Sequence, residues 1–194
     1  MPSGSMRGQL LVATPALQEP TFARAVVLLL EHSASDGALG VVVNRPTPVA
    51  VADVVAAVAD LATEPALLFE GGPVSPTTAI GLGSAVPGAL AEAGPDELAA
   101  GLAPVMPPLV TVDLDHDPAL LAASLRTLRV FAGYAGWSPG QLESEIVDGS
   151  WYVVDALPGD AFTAEPARLR ADVLRRQGWP LAAAAHSPDD PALN

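Results

Sequence analysis

Gly136-Trp137-Ser138-Pro139-Gly140 matches G-x-S-x-G, the pattern that sets a serine nucleophile on a strained turn between a strand and a helix. In that elbow the residue after the serine supplies a backbone N–H to the oxyanion hole, and Pro139 has none. Proline also drives Ser138 toward extended backbone, away from the elbow conformation. The same residues instead spell a helix start, with Ser138 as cap, Pro139 at the first position and Gln141 closing a capping box. Asp113-Leu114-Asp115-His116-Asp117 invites a divalent metal, but Asp117 is needed as the cap of a helix opening at Pro118, and no second ligand cluster accompanies it. His32 stands at a strand end without a visible partner, and His186 falls in the C-terminal tail. Gly81-Leu82-Gly83 lacks the third glycine of a dinucleotide fingerprint. Arg168, Arg170, Arg175 and Arg176 read as a solvated helix face, with Asp172 at i,i+4 from both Arg168 and Arg176.

Five of the nine aromatic residues (Phe131, Tyr134, Trp137, Trp151, Tyr152) crowd into one stretch with Gly133 and Gly136. That density suits a core corner, and it also suits a recognition surface on a loop of unusual backbone freedom.

The elements that must carry these residues follow from periodicity and turn chemistry. Leu10–Ala13 is a short apolar run ended by Thr14-Pro15. Ala25–Leu30 and Leu39–Val43 flank a turn at 33–37 and form a hairpin whose continuous apolarity requires cover on both faces. Apolar residues at 51, 54, 55, 58 and 61 predict an amphipathic helix over 49–61. Strands are expected at 67–69, 78–82, 110–114, 128–131 and 151–154, and helices at 118–125, 139–146 and 165–177. The proline- and glycine-punctuated stretch 86–108 is the expected long excursion. Residues 1–7 and 182–194 are expected to be disordered tails around a single domain. Strand pairs mixed with single helices make the fold class α+β.

Composition removes whole mechanisms. The 194 residues contain no cysteine and no lysine, all nine basic residues being arginine. Schiff-base, P-loop, thiol and cysteine-ligated metal chemistry are therefore out of reach. With 22 carboxylates the formal charge is −13, which repels phosphate backbones and opposes direct nucleic-acid binding. No apolar run approaches a membrane span and no secretory signal pattern opens the chain, so a cytoplasmic protein without a membrane partner is expected.

Several blocks carry a family resemblance. Gln9-Leu10-Leu11-Val12-Ala13 with Pro15, Phe22-Ala23-Arg24-Ala25-Val26-Val27, Gly37-Ala38-Leu39-Gly40 and Asn44-Arg45-Pro46 resemble the opening of the YqgE/AlgH family. Gly71-Gly72-Pro73-Val74, then Gly133-Tyr134-Ala135-Gly136-Trp137-Ser138-Pro139-Gly140-Gln141-Leu142-Glu143-Ser144-Glu145-Ile146 and Trp151, follow in the family's order, so the likeness spans residues 8–180. The final helix departs from the pattern in carrying Leu169-Arg170 where a tryptophan is expected, and 86–106 is unusually rich in proline. The resemblance implies a mixed, largely antiparallel sheet partly closed toward a barrel and packed by helices. It also implies a bacterial cytosolic protein without established catalysis or cofactor. One branch is named for a role in regulating alginate production, but the charge of −13 speaks against DNA contact here.

On the residues, Arg24, Asn44, Arg45, Gly71, Gly72, Tyr134, Trp137, Gln141, Glu143 and Glu145 are the candidates for binding a protein partner or a small anionic ligand; no catalytic residue, metal or cofactor is expected. Hairpin geometry puts His32 about 17 Å from Arg45 at ~3.4 Å per residue, so a site on Arg45 would recruit Gly71-Gly72 or Tyr134 and Trp137. The Arg45 fork and the Gly71 and Gly72 amides could then hold a carboxylate or phosphate. Alternatively Arg45 pairs with Glu70, Glu143 or Glu145 and only fixes loops. An enzyme acting on a small anion, with Glu143 or Glu145 as general base and Arg45 as anion holder, is the alternative function, and a transcriptional regulator is a second.

Overall fold

Runs of valine and leucine that leave no polar face can only sit in strands covered from both sides, and they do so here. The computed structural model describes residues 4–90 and 101–185. Ten strands appear in chain order: β1 (Gln9–Ala13), β2 (Val26–Ser33), β3 (Gly37–Val42), β4 (Pro46–Ala50), β5 (Leu67–Glu70), β6 (Val74–Ala85), β7 (Leu102–Met106), β8 (Leu109–Val112), β9 (Leu125–Trp137) and β10 (Trp151–Asp155). Among the described residues four α-helices accompany them: α1 (Pro118–Ser124), α2 (Gln141–Val147), α3 (Pro166–Arg176) and α4 (Leu181–Ala184).

The strands run β10-β1-β2-β3-β9-β6-β8-β7, with β5 lying parallel to β9 and carrying β4. The thirteen-residue β9 is the hinge of this sheet: its end (Ala135–Trp137) pairs with β3 and its earlier part with β6. Between the two regimes sits Gly133 at φ 69, where an added Cβ would lie 2.6 Å from the Gly72 carbonyl oxygen. The sheet curls into a half-barrel. Its far strand β7 is drawn back by Arg7, which donates to the Pro104 carbonyl, and by Gly8, whose missing Cβ would stand 2.8 Å from the Met106 Cβ.

The inner face buries Leu10, Leu28, Val41, Phe69, Leu82 and Phe131 under Leu169, Val173 and Leu174 of α3. The opposite face of β1–β3 and the end of β9 bury Leu11, Val27, Leu29, Val42, Trp137 and Trp151 beneath Leu142 of α2. A third cluster around Leu102, Leu121, Leu128 and Val130 lies under α1. Among the described residues no helix is long and apolar enough to cross a membrane.

Several expectations are corrected. Residues 49–61 do not form an α-helix: they finish β4 and make two 3-10 turns (Val51–Asp53, Ala56–Leu61) that bury Val51 and Val58. Four valines at 51, 54, 55 and 58 stiffen this stretch against helix, so periodicity found the buried positions and missed the conformation. Residues 4–7 are docked, with Met6 buried, and α4 with a buried Ala185 continues the fold past 181. Residues 1–3 and 186–194, with His186, lie outside the described residues, as does much of the 86–108 excursion. Arg168 pairs with Glu165 and Arg175 with Asp172, while Arg176 makes a bidentate contact of 2.6 Å with Asp160 and Arg170 is buried. Both helix pairs are i,i+3, and α3 has a packed arginine side as well as a solvated one. The Asp117 cap stands as expected, accepting from the Ala119 N–H at 2.8 Å.

Candidate functional site

The segment between β1 and β2 closes on itself through the Phe22 and Ala23 N–H groups, which both donate to the Glu19 carbonyl, and two side chains from the end of the hairpin hold it to the sheet. Asn44 accepts from the Val26 N–H at 2.9 Å and donates to the Arg24 carbonyl at 3.0 Å, which fixes Arg24 at the unusual φ of 61. Arg45 spreads its fork over three carbonyls, those of Pro20 (3.1 Å), Ala23 (2.9 Å) and Thr21. Neither the expected carboxylate partner nor an anion cradle is formed there. Three guanidinium donors are spent on backbone, and the Gly71 N–H already donates to Ala132 at 2.8 Å. Gly71 and Gly72 serve close packing instead, since a Cβ on either would lie 2.2–2.3 Å from the backbone of Gly133 or Tyr134.

The turn that Arg45 holds carries Phe22 into an aromatic triangle. Its ring stands 6.2 Å from Trp137 and 5.6 Å from Trp151, and the two indoles are 6.1 Å apart. Both tryptophans are buried, so each indole N–H needs an acceptor. Glu145 supplies it to both at once, its Oε2 lying 2.9 Å from each Nε1 while Oε1 accepts from Gln141 at 3.0 Å. The Gln141 Oε1 in turn accepts from the Ser138 N–H at 3.1 Å. This is the glutamine half of the expected capping box. Helical geometry begins only at Gln141, after Gly140 at φ 77, so Pro139 precedes the helix.

Glu143, on the same helix, meets His32. The imidazole Nδ1 accepts from the Met6 N–H at 3.1 Å, so the proton of the neutral ring sits on Nε2 and is donated to Glu143 Oε1 at 2.9 Å. Glu143's own backbone N–H, then the His32 N–H, hold this carboxyl below its ordinary range. His32 thus has the partner that its sequence position did not reveal, and a β-bulge is the reason. Pairing steps from Leu29↔Gly40 to Glu31↔Leu39, so Leu30 is an extra residue and His32 rotates onto the face that α2 covers. Trp137 is corrected in the same way: it pairs with Ala38, whose other neighbour is His32, and therefore belongs to the His32 end of the hairpin.

Seven of the ten candidates accordingly fall into one connected network rather than one open cleft, and Gly71, Gly72 and Tyr134 stand outside it. Arg24, Asn44 and Arg45 shape the 20–25 turn; Phe22 passes its order to Trp137 and Trp151; Glu145, Gln141 and Glu143 fasten α2 over them. Tyr134 lies on the inner face, paired with Val74. Phe22, Trp151, Met6 and His32 are network members that the candidate set lacked. Phe22 and Trp151 stand in the family blocks and Trp151 in the aromatic-rich stretch near 131–152, whereas nothing local in the sequence points to Met6. Beside His32, between residues 5–7 and the hairpin turn, opens a cavity of about 410 Å³ lined by Arg7, Glu31, His32, Asp36 and Leu39. The two hydroxyls of Ser33 and Ser35 hold Asp36 at 2.6 and 2.7 Å and lower its pKa. In the 113–117 loop Asp113 accepts from the Asp115 N–H and Asp117 caps α1, and no group of three metal-ligating side chains converges among the described residues.

A curled antiparallel half-barrel with two signature loops locked beneath a short helix defines the class of protein. The AlgH-like family model matches residues 10–182, and the chain belongs to that family. It is 54% identical to a UPF0301 protein of Streptomyces avermitilis over 190 residues, covering 98% of this chain and 96% of that one. It is 45% identical to a UPF0301 protein of Mycobacterium tuberculosis, covering 96% and 90% of the two chains. The crystal structure of a Corynebacterium diphtheriae protein superposes with a TM-score of 0.86 at 33% identity, covering 95% of this chain and 93% of that one. The solution structure of AlgH from Pseudomonas aeruginosa gives 0.67 at 25% identity, covering 97% and 96%.

Proposed function

We propose that this protein is a non-catalytic cytoplasmic interaction module that engages a protein partner at the hairpin end of its half-barrel, around the cavity between residues 5–7 and 31–39. The observation that carries this reading is the commitment of the candidate bases. Glu145 accepts from two indoles and a glutamine, and both nitrogens of His32 are engaged. A general base must have a free acceptor within reach of substrate. Glu143 keeps an oxygen toward solvent, but its companion for anion chemistry, Arg45, serves the opposite end of the hairpin. The cavity also lacks an anion's electrostatics, since Glu31 and Asp36 line it opposite a single arginine, Arg7, which donates to the Pro104 carbonyl. A polar segment of another protein suits it better than a small anion.

A photo-reactive side chain placed at Leu39 in the living bacterium tests this, with the same group at the exposed Asp60 as control. Discrete protein adducts from position 39 alone are expected. Identical adduct patterns from both positions, or a metabolite that raises the melting temperature with no adduct at all, would contradict the reading.

A further inference from the structure

The half-barrel has two terminal strands, and they are treated differently. β7 contains Pro104, carries an irregularity between Pro104 and Met106, and is clasped by Arg7. Those are the devices by which sheets blunt an edge. β10, at the other end, has no proline and no bulge. The hydrogen bond from the Thr14 N–H to the Ser150 carbonyl sets its phase: Tyr152 and Val154 bond toward β1, so Trp151, Val153 and Asp155 aim their backbone groups outward. Of these only the Asp155 carbonyl has a partner among the described residues, Arg176 at 2.9 Å.

Exposed apolar side chains flank this strand in the chain. The three most exposed large hydrophobic residues described are Trp179 at 85%, Val147 at 68% and Leu157 at 55%. Val147 ends α2 four residues before β10 begins, and Leu157 comes two residues after β10 ends. Trp179 comes three residues after Arg176, whose guanidinium reaches the Asp155 carbonyl, so chain and side-chain lengths together hold it within about 20 Å of that carbonyl. A bare strand edge bracketed by apolar anchors is the arrangement used for strand addition, in which main-chain bonds give affinity and flanking side chains give selectivity.

From this we infer that the outer edge of β10 takes an extended, basic segment of another protein as an additional strand, with an apolar residue of that segment set against Trp179 and Leu157. The surface is separate from the cavity at the hairpin end. Charge selects the occupant: the exposed Asp148 and Asp155 stand at the two ends of the edge on a chain of net charge −13. A second copy fits poorly. Two-fold pairing centred on Val153 would ask Trp151 to bond the Asp155 carbonyl that Arg176 already holds, and would bring like charges together.

Selection of a displayed random-peptide library on the full chain tests the inference. Enriched sequences should be rich in arginine or lysine with β-branched or aromatic residues. Synthetic versions should lose about tenfold or more in affinity when alternate backbone amides are N-methylated, and by a similar factor against Trp179→Ala, whose exposed side chain makes no demand on folding. Val153→Pro should abolish binding, but the N-methylated peptides carry the test without it if that variant fails to fold. Enrichment of acidic sequences, no enrichment, or indifference to both N-methylation and Trp179→Ala would overturn the inference. So would sedimentation showing a dimer that Trp179→Ala dissociates, which would give the edge to a second copy.

Discussion

At the scale of single residues, the polar groups of the signature blocks work mainly on each other. A buried indole N–H without an acceptor costs about 1–3 kcal/mol, and Glu145 removes two such costs with one oxygen. Arg129 shows the same economy elsewhere in the fold. It is buried over the Phe69 ring at 4.3 Å, donates to the carbonyls of Glu64 and Thr163, and burial lowers its pKa to about 10, leaving it charged at neutral pH. Glu143 supplies a prediction in pH. Its folded pKa lies below that of the unfolded chain, so its contribution to stability is fully present above the unfolded value and is lost as pH falls through the folded one. Urea unfolding of Glu143→Gln should therefore show a deficit near neutrality that shrinks toward zero in acid, where wild type and variant converge. A constant deficit at every pH would mean that the carboxylate's charge is irrelevant to its contact with His32.

At the scale of elements, the question is what keeps the 19–25 turn and α2 on the sheet. Arg45→Lys retains the charge but replaces a planar fork by one ammonium that cannot span three carbonyls. It should cost about 1–2 kcal/mol and raise hydrogen exchange selectively in residues 19–25. Gly133→Ala meets both a positive φ and the Gly72 carbonyl, so a loss of about 2 kcal/mol or more in chemical denaturation is expected, with no small side chain able to rescue it. These elements differ in how well the sequence announced them. The hairpin, α1 with its Asp117 cap, and α3 with Gly178 beyond were legible because each depends on local pattern and turn chemistry. The valine-rich 49–61 stretch misled because burial spacing was real while β-branching opposed the helix. The bulge at Leu30 and the long bend of β9 were invisible because a slip of one residue depends on partners far away in sequence. Since that slip decides which face His32 occupies, the His32–Glu143 contact was beyond local reading as well.

For the whole molecule, the absence of lysine and cysteine leaves arginine, carboxylates, aromatics and backbone amides to do everything. Most of the candidate residues are spent holding loops and α2 against a curled sheet. Among the described residues, the hairpin-end cavity, a second cavity of about 380 Å³ beside Ala85, Leu90 and Pro108, and the outer edge of β10 remain open to other molecules. The family signature is therefore legible in sequence as a constellation, while its fastening of α2 to the sheet emerges only when Phe22 and Trp151 join Trp137 around Glu145. The most direct test is the exchange rate of the indole N–H protons by NMR, in wild type and in Glu145→Ala. Trp137 and Trp151 should be strongly protected and Trp179 should exchange freely, and Glu145→Ala should strip protection from both buried indoles while lowering stability by about 2–3 kcal/mol. Free exchange of the Trp137 indole in wild type, unchanged by Glu145→Ala, would contradict it and return Trp137 to the surface as a recognition residue.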